Sequence, residues 1–75
     1  MLLSNEECQE IYQKTKDKRC WLEMMASNDG RINLVNEDGI LTSWWNAEFD
    51  EEEQAQAARL CAILNREYNY SQYKG

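Results

Sequence analysis

The sequence predicts an α+β fold in the order α-β-β-β-α, with three antiparallel strands in a meander and two helices packed on one face of the sheet. Two observations predict it. The turn signals Asn28-Asp29-Gly30 and Asn36-Glu37-Asp38-Gly39 enclose an alternating stretch, and an amphipathic segment lies on either side of them. The 75 residues suit one small domain, which we expect to span 1–75.

The first helix is predicted over 5–17. Ser4 and Glu7, three residues apart, match a capping box, and apolar residues then recur at helical spacing. The recurring residues are Cys8, Ile11, Tyr12 and Thr15. These positions give the helix one face for the core.

The second helix is predicted over 51–67. Asp50 and Glu53 repeat the capping pattern, and the helix carries one apolar stripe. The stripe comprises Ala57, Leu60, Cys61, Leu64 and Tyr68. Tyr70 and Tyr73 lie beyond it and could either dock on the domain or reach a partner.

The stretch 18–27 is predicted as the first strand. It contains no helix breaker, so it could instead extend the first helix, since Leu22 and Met25 lie near that helix's stripe. The assignment of the sheet faces depends on this choice.

The turns predict the register, with Ser27 opposite Arg31 and Val35 opposite Ile40. The face predicted to pack against the helices comprises Cys20, Leu22, Met24, Ala26, Ile32, Leu34, Leu41, Ser43 and Trp45. The open face comprises Arg19, Trp21, Glu23, Met25, Arg31, Asn33, Val35, Ile40, Thr42 and Trp44. Its tryptophans are candidates for a partner or dimer surface. Alternatively, Arg19 and Arg31 stack over the tryptophans and the face stays in water.

The charge is strongly negative and unevenly distributed. Fourteen Asp and Glu face eight Lys and Arg, for a net charge of -6, and there is no histidine. Nucleic-acid binding draws on Lys and Arg, so direct binding is not expected, and partners should be basic or neutral proteins.

Six carboxylates are predicted to cluster at one end of the sheet. In a meander the first turn and the end of the third strand meet there. The six residues are Asp29, Glu48, Asp50, Glu51, Glu52 and Glu53. Acidic residues in a helix's first turn are favoured by the helix dipole, which accounts for some of them. The alternative is that the acidic edge mimics a nucleic-acid backbone and occupies a basic channel.

The groups required for common catalytic and metal sites are missing. With no histidine, the commonest general base and metal ligand is absent, and Cys8, Cys20 and Cys61 lack the C-x-x-C spacing of zinc and redox sites. We expect reduced thiols, a cytoplasmic protein, no membrane span, no metal or other cofactor, no catalytic residues and no enzyme activity.

The element order and the alanine-rich second helix resemble double-stranded RNA-binding domains over nearly the whole chain. The alanines are Ala55, Ala57, Ala58 and Ala62. That family grips phosphates with lysines at the start of its second helix, where this sequence has Glu51-Glu52-Glu53. The resemblance therefore implies topology and not RNA binding.

Size, acidity, the lack of catalytic groups and the element order also resemble phage-encoded anti-CRISPR and related anti-defence proteins. That resemblance implies an inhibitor that acts in a bacterial host and blocks a nucleic-acid-handling complex. It would bind through the six clustered carboxylates, with Trp44 or Trp21 as an aromatic anchor. The alternative is a small regulatory or structural module that homodimerises through its aromatic sheet face.

Overall fold

The computed structural model describes residues 1–15, 17–25, 30–45, 47 and 49–74. The strands form one antiparallel sheet in the order β1-β2-β3, so the predicted α-β-β-β-α meander is confirmed. The elements are α1 (Asn5–Thr15), β1 (Cys20–Met25), β2 (Arg31–Asn36), β3 (Gly39–Trp44) and α2 (Glu51–Lys74). Because β1 begins at Cys20, the alternative in which the first helix continues through 18–27 is wrong.

Helix α1 begins with the predicted capping box. The Glu7 amide donates to Ser4 Oγ at 3.1 Å, and the Ser4 amide donates to Glu7 Oε1 at 3.0 Å. The helix ends at Thr15, two residues earlier than predicted. Ile11 and Thr15 are buried and Cys8 and Tyr12 are half-buried, so the predicted apolar face of α1 is confirmed.

Helix α2 is capped by Asp50, whose Oδ1 accepts from the amides of Glu52 at 2.9 Å and Glu53 at 3.2 Å. The helix continues to Lys74, seven residues beyond the predicted end at 67. Its apolar stripe stops earlier, but positions 51–74 contain neither glycine nor proline, so no helix breaker lies where the stripe ends.

The β1–β2 register differs from the prediction by two residues. Met25 pairs with Arg31, in the place predicted for Ser27, which lies outside the described residues. Side chains alternate with a period of two, so this shift preserves the predicted faces of β1. Trp21 lies on the open face as predicted and is 44% exposed.

A β-bulge in β3 overturns the predicted faces of the second half of that strand. Val35 pairs with Ile40 as predicted, but Leu34 pairs with Thr42, so Leu41 is an extra residue. Beyond it the alternation is reversed. Thr42 and Trp44 therefore lie on the helix side, whereas Ser43 and Trp45 lie on the open side, opposite to the prediction for all four residues.

The core lies between the helices and one face of the sheet. The large side chains that are less than 2% exposed are Trp44, Leu34, Leu64 and Thr15. Around them lie the buried side chains of Ile11, Cys20, Ile32, Ala47, Ala57 and Leu60. Met24 was predicted in this core but is 58% exposed, because it lies near the end of an edge strand.

The two helices begin at the same end of the molecule. Met1 and Leu3, just before α1, contact Glu53 and Gln56 in the first turns of α2. Arg19, just after α1, lies over the Tyr68 ring near the other end of α2. The helices therefore run in the same direction, and the start of α1 lies beside the second turn of α2.

Candidate functional site

The open sheet face consists of three rows across the strands. The first row is Trp21, Val35 and Ile40, and the second is Glu23, Asn33 and Ser43. In the third row Arg31 lies beside Trp45. Trp21, Ile40 and Trp45 are 44%, 66% and 55% exposed, so this face presents apolar area at its periphery.

Two corners of this face hold a tryptophan joined to a charged group. In the Trp21–Glu23 corner the indole Nε1 donates to Glu23 Oε1 at 3.2 Å. In the Arg31–Trp45 corner the guanidinium carbon lies 3.6 Å from the centre of the Trp45 ring, which is a cation–π contact. The predicted stacking of an arginine on a tryptophan therefore occurs, but on Trp45.

Asn33 occupies the centre of the open sheet face. The residue is only 4% exposed, and its Oδ1 has no hydrogen-bond partner among the described residues. A buried acceptor without a partner costs stability, so this position is not optimised for the folded chain alone.

Trp44, predicted as an exposed anchor, belongs to the core. It is fully buried, and its Nε1 donates to Gln56 Oε1 at 2.9 Å. The bulge turns it inward, and Trp45 takes its place on the open sheet face. Trp44 therefore cannot touch a partner in this fold.

The predicted acidic edge is rearranged. Asp29 and Glu48 lie outside the described residues, and Asp50 caps α2. Glu51 and Glu52 are exposed in the first turn of α2. We call Asp50, Glu51 and Glu52 the acidic end.

Glu53 is not part of that exposed surface. It is 3% exposed, and its Oε1 accepts from the N-terminal ammonium of Met1. Its Oε2 has no partner among the described residues. The prediction that Glu53 lies on the acidic edge is wrong, because the first helical turn directs this position toward the N-terminal segment.

Phe49 and the acidic end are adjacent in sequence and space. Phe49 lies two residues before α2 and is 78% exposed. An exposed phenylalanine beside carboxylates provides hydrophobic contact area next to negative charge. Phe49 was not among the predicted site residues, although a lone Phe before a helix cap is visible in the sequence.

Two amide side chains of α2 each bind both backbone groups of a residue outside the helix. Gln56 accepts from the Leu3 amide at 2.8 Å and donates to the Leu3 carbonyl at 3.0 Å. Asn65 accepts from the Cys20 amide at 3.0 Å and donates to the Cys20 carbonyl at 2.9 Å. Both residues adjoin the apolar stripe of α2, which is the signal that could have indicated them.

The three cysteines are free; Cys20 is buried, and Cys8 and Cys61 are half-buried. Burial, with a smaller contribution from Cys61, raises the pKa of the Cys20 thiol to about 12. Burial and the neighbouring Glu7 carboxylate raise the pKa of Cys8 as well. A thiol with a raised pKa is protonated near neutrality and is a poor nucleophile.

No group of three or more metal-ligating side chains occurs in the described part of the chain. Within the same ranges, no helix is both long and apolar enough to cross a bilayer. A groove of about 280 Å³ separates α1 from α2, with Tyr12, Arg59 and Ile63 among its lining residues. Its lining also includes the polar side chains of Asn5, Gln9 and Gln56.

Comparison with known proteins yields no relative. No family model matches the chain, and neither the curated proteins nor the solved structures contain a significant match.

Proposed function

We propose that this chain is a non-catalytic, protein-binding inhibitor that occupies the basic surface of a nucleic-acid-handling complex with its acidic end. A phage or another mobile element is the source that we propose for it, and a bacterial defence complex is the target. The observation that carries the proposal is the run of carboxylates at the start of α2, where Asp50 caps the helix and Glu51 and Glu52 are exposed.

The charges of the chain are separated along its length. Exposed carboxylates lie at the start of α2, whereas at the opposite side Lys14 lies in the last turn of α1 and Lys18 and Arg19 follow that helix. Lys18 is largely neutralised there by Glu37 and Asp38. A protein with this polarity approaches a basic partner with its acidic end first, which accelerates encounter.

The acidic end also offers an apolar contact. Charges that stay at the rim of an interface contribute mainly to encounter rate and orientation, whereas buried aromatic side chains supply most of the affinity. Phe49 is 78% exposed and lies two positions before Glu51. We assign to it the role of aromatic anchor that was predicted for Trp44 or Trp21. A mimic of nucleic acid with such an anchor needs no cofactor.

The helix dipoles alone favour acidic residues at these positions, by about 0.3–1 kcal/mol each. This effect concerns the folded chain and predicts a small loss of stability when Glu51 and Glu52 are neutralised. If a partner binds these two carboxylates, their neutralisation should in addition lower the affinity and make the affinity less dependent on salt. The two accounts are therefore separable by experiment.

The test is capture of partners from nuclease-treated bacterial lysate with the full chain and with the double variant Glu51→Gln/Glu52→Gln. The matched control, Asp17→Asn/Glu67→Gln, removes the same charge from exposed or half-exposed positions away from the acidic end. We expect a nucleic-acid-binding complex with the full chain and the control, and at least about tenfold less with the double variant.

The captured complex is then titrated with the full chain at several salt concentrations. Affinity should fall with salt for the full chain and the control, and depend less on salt for the double variant. Phe49→Ser should weaken binding without changing the salt dependence. Equal capture by the full chain, the control and the Glu51→Gln/Glu52→Gln variant would contradict the proposal.

A further inference from the structure

The open sheet face is a second surface that the acidic end does not use. Its Trp21–Glu23 corner carries a carboxylate, and its Arg31–Trp45 corner carries a guanidinium. The corners lie at opposite ends of a diagonal across the sheet, because Trp21 is in the first row of β1 and Trp45 follows β3 beside the third row. Each corner thus displays an indole together with one sign of charge.

We propose that this face binds a second copy of the chain, with the Trp21–Glu23 corner of each copy on the Arg31–Trp45 corner of the other. The inference goes beyond the proposed function, since it concerns a different surface and survives if the acidic end binds nothing.

Charge favours a second copy over another partner. The chain carries -6, so two copies repel each other at most orientations. On the open sheet face, however, the charges of Glu23 and Arg31 cancel, and among the described residues neither forms an ion pair within the chain. This is therefore a surface on which two copies meet without net repulsion, and each charge finds its opposite on the other copy.

Both corner contacts form if the dimer has a two-fold axis that lies between the two facing sheets and parallel to them. Viewed along the normal to the sheet, this axis runs from Ile40 across Asn33 at the centre of the face. Rotation about it exchanges Trp21 with Trp45 and brings Glu23 of one copy to Arg31 of the other, twice per dimer. The strands of the two copies then cross at nearly a right angle, one of the two arrangements in which sheets pack.

The size of the face sets the expected strength. Three strands about 4.8 Å apart and three rows about 6.8 Å apart make a small contact, below the roughly 800 Å² per partner of a standard interface. We therefore expect a reversible dimer with a dissociation constant on the order of micromolar, populated at high concentration.

The experiment is sedimentation equilibrium of the full chain, of Glu23→Lys, of Arg31→Glu and of an equimolar mixture of the two variants, with folding verified by circular dichroism. Glu10→Lys, a charge reversal at an exposed position of α1, is the matched control. Each single variant places like charges at both contacts, so its dissociation constant should rise at least about tenfold. The mixture restores opposite charges at both contacts and should form a heterodimer.

Three results would overturn the inference: a full chain that stays monomeric at millimolar concentration, single variants that dimerise like the control, or a mixture that fails to recover. If Arg31→Glu does not fold, Arg31→Gln replaces it, and its mixture with Glu23→Lys should recover only in part. None of these outcomes affects the proposed function, which is tested through Glu51 and Glu52 with the open sheet face intact.

Discussion

The indole Nε1 of Trp44 donates a hydrogen bond of 2.9 Å to Oε1 of Gln56, and this contact joins the end of the sheet to the second helix. The same oxygen accepts from the Leu3 amide at 2.8 Å. One glutamine therefore connects the N-terminal segment, β3 and α2. It also completes the hydrogen bonding of a tryptophan that has no contact with solvent.

Replacement of Gln56 by Leu should destabilise the fold by about 2–4 kcal/mol, because it leaves the Trp44 indole and the Leu3 peptide without partners. The free energy of unfolding in urea measures the effect. Gln13→Leu, at an exposed position of α1, is the control and should change stability by less than about 0.5 kcal/mol. Equal losses in the two variants would show that the Gln56 contacts are unimportant.

Replacement of Glu53 by Gln should destabilise the fold by about 1 kcal/mol, because it removes the charge of a carboxylate that is 3% exposed and accepts from the solvent-exposed Met1 ammonium. Glu52→Gln is the neighbouring control, since Glu52 is exposed. Thermal unfolding at neutral pH compares the two variants. A loss no larger for Glu53→Gln than for Glu52→Gln would contradict the assignment of Glu53 to the folded core.

Half-buried Asn65 and buried Asn33 should respond oppositely to apolar replacement. Asn65 bonds to both backbone groups of Cys20, so Asn65→Leu should cost about 2–3 kcal/mol. Asn33 has an Oδ1 without a partner among the described residues, so Asn33→Val should be neutral or stabilising by up to about 1 kcal/mol. Urea unfolding of both variants tests the contrast, and a larger loss for Asn33→Val would refute it.

Stability should fall as the pH rises above 9. The Cys20 thiol has a pKa raised by burial to about 12, whereas in the unfolded chain it ionises near its ordinary value of 9.0. Between these values the unfolded state binds fewer protons, so the free energy of unfolding decreases with pH, by at most about 1.4 kcal/mol per unit. Cys20→Ala should show a shallower slope from pH 8 to 10.5, and an unchanged slope would contradict the assignment.

Local signals in the sequence were sufficient for the element order and for several contacts. The capping box of Ser4 and Glu7, the pairing of Val35 with Ile40 and the open-face position of Trp21 follow from patterns within a few residues of each other. The acidic positions at the start of α2 were equally visible, although their use by a partner stays a prediction.

Contacts between distant segments decided the rest. Trp44 and Trp45 are neighbours of the same type, so alternation alone cannot say which one is inside, and a single bulge residue at Leu41 exchanges them. Glu53 was assigned to the surface because its sequence neighbours are acidic, but the N-terminus meets it across the helix start.

The sequence by itself determined the α-β-β-β-α order, the helix caps and the uneven charge, because spacing and residue type control these features locally. Only the tertiary structure decided which tryptophan is buried, which carboxylate is neutralised and which surfaces stay open. Those outcomes depend on hydrogen bonds between residues 45 to 53 positions apart in the sequence, which Gln56, Asn65 and the Met1 ammonium form. Local sequence patterns do not predict contacts over such separations.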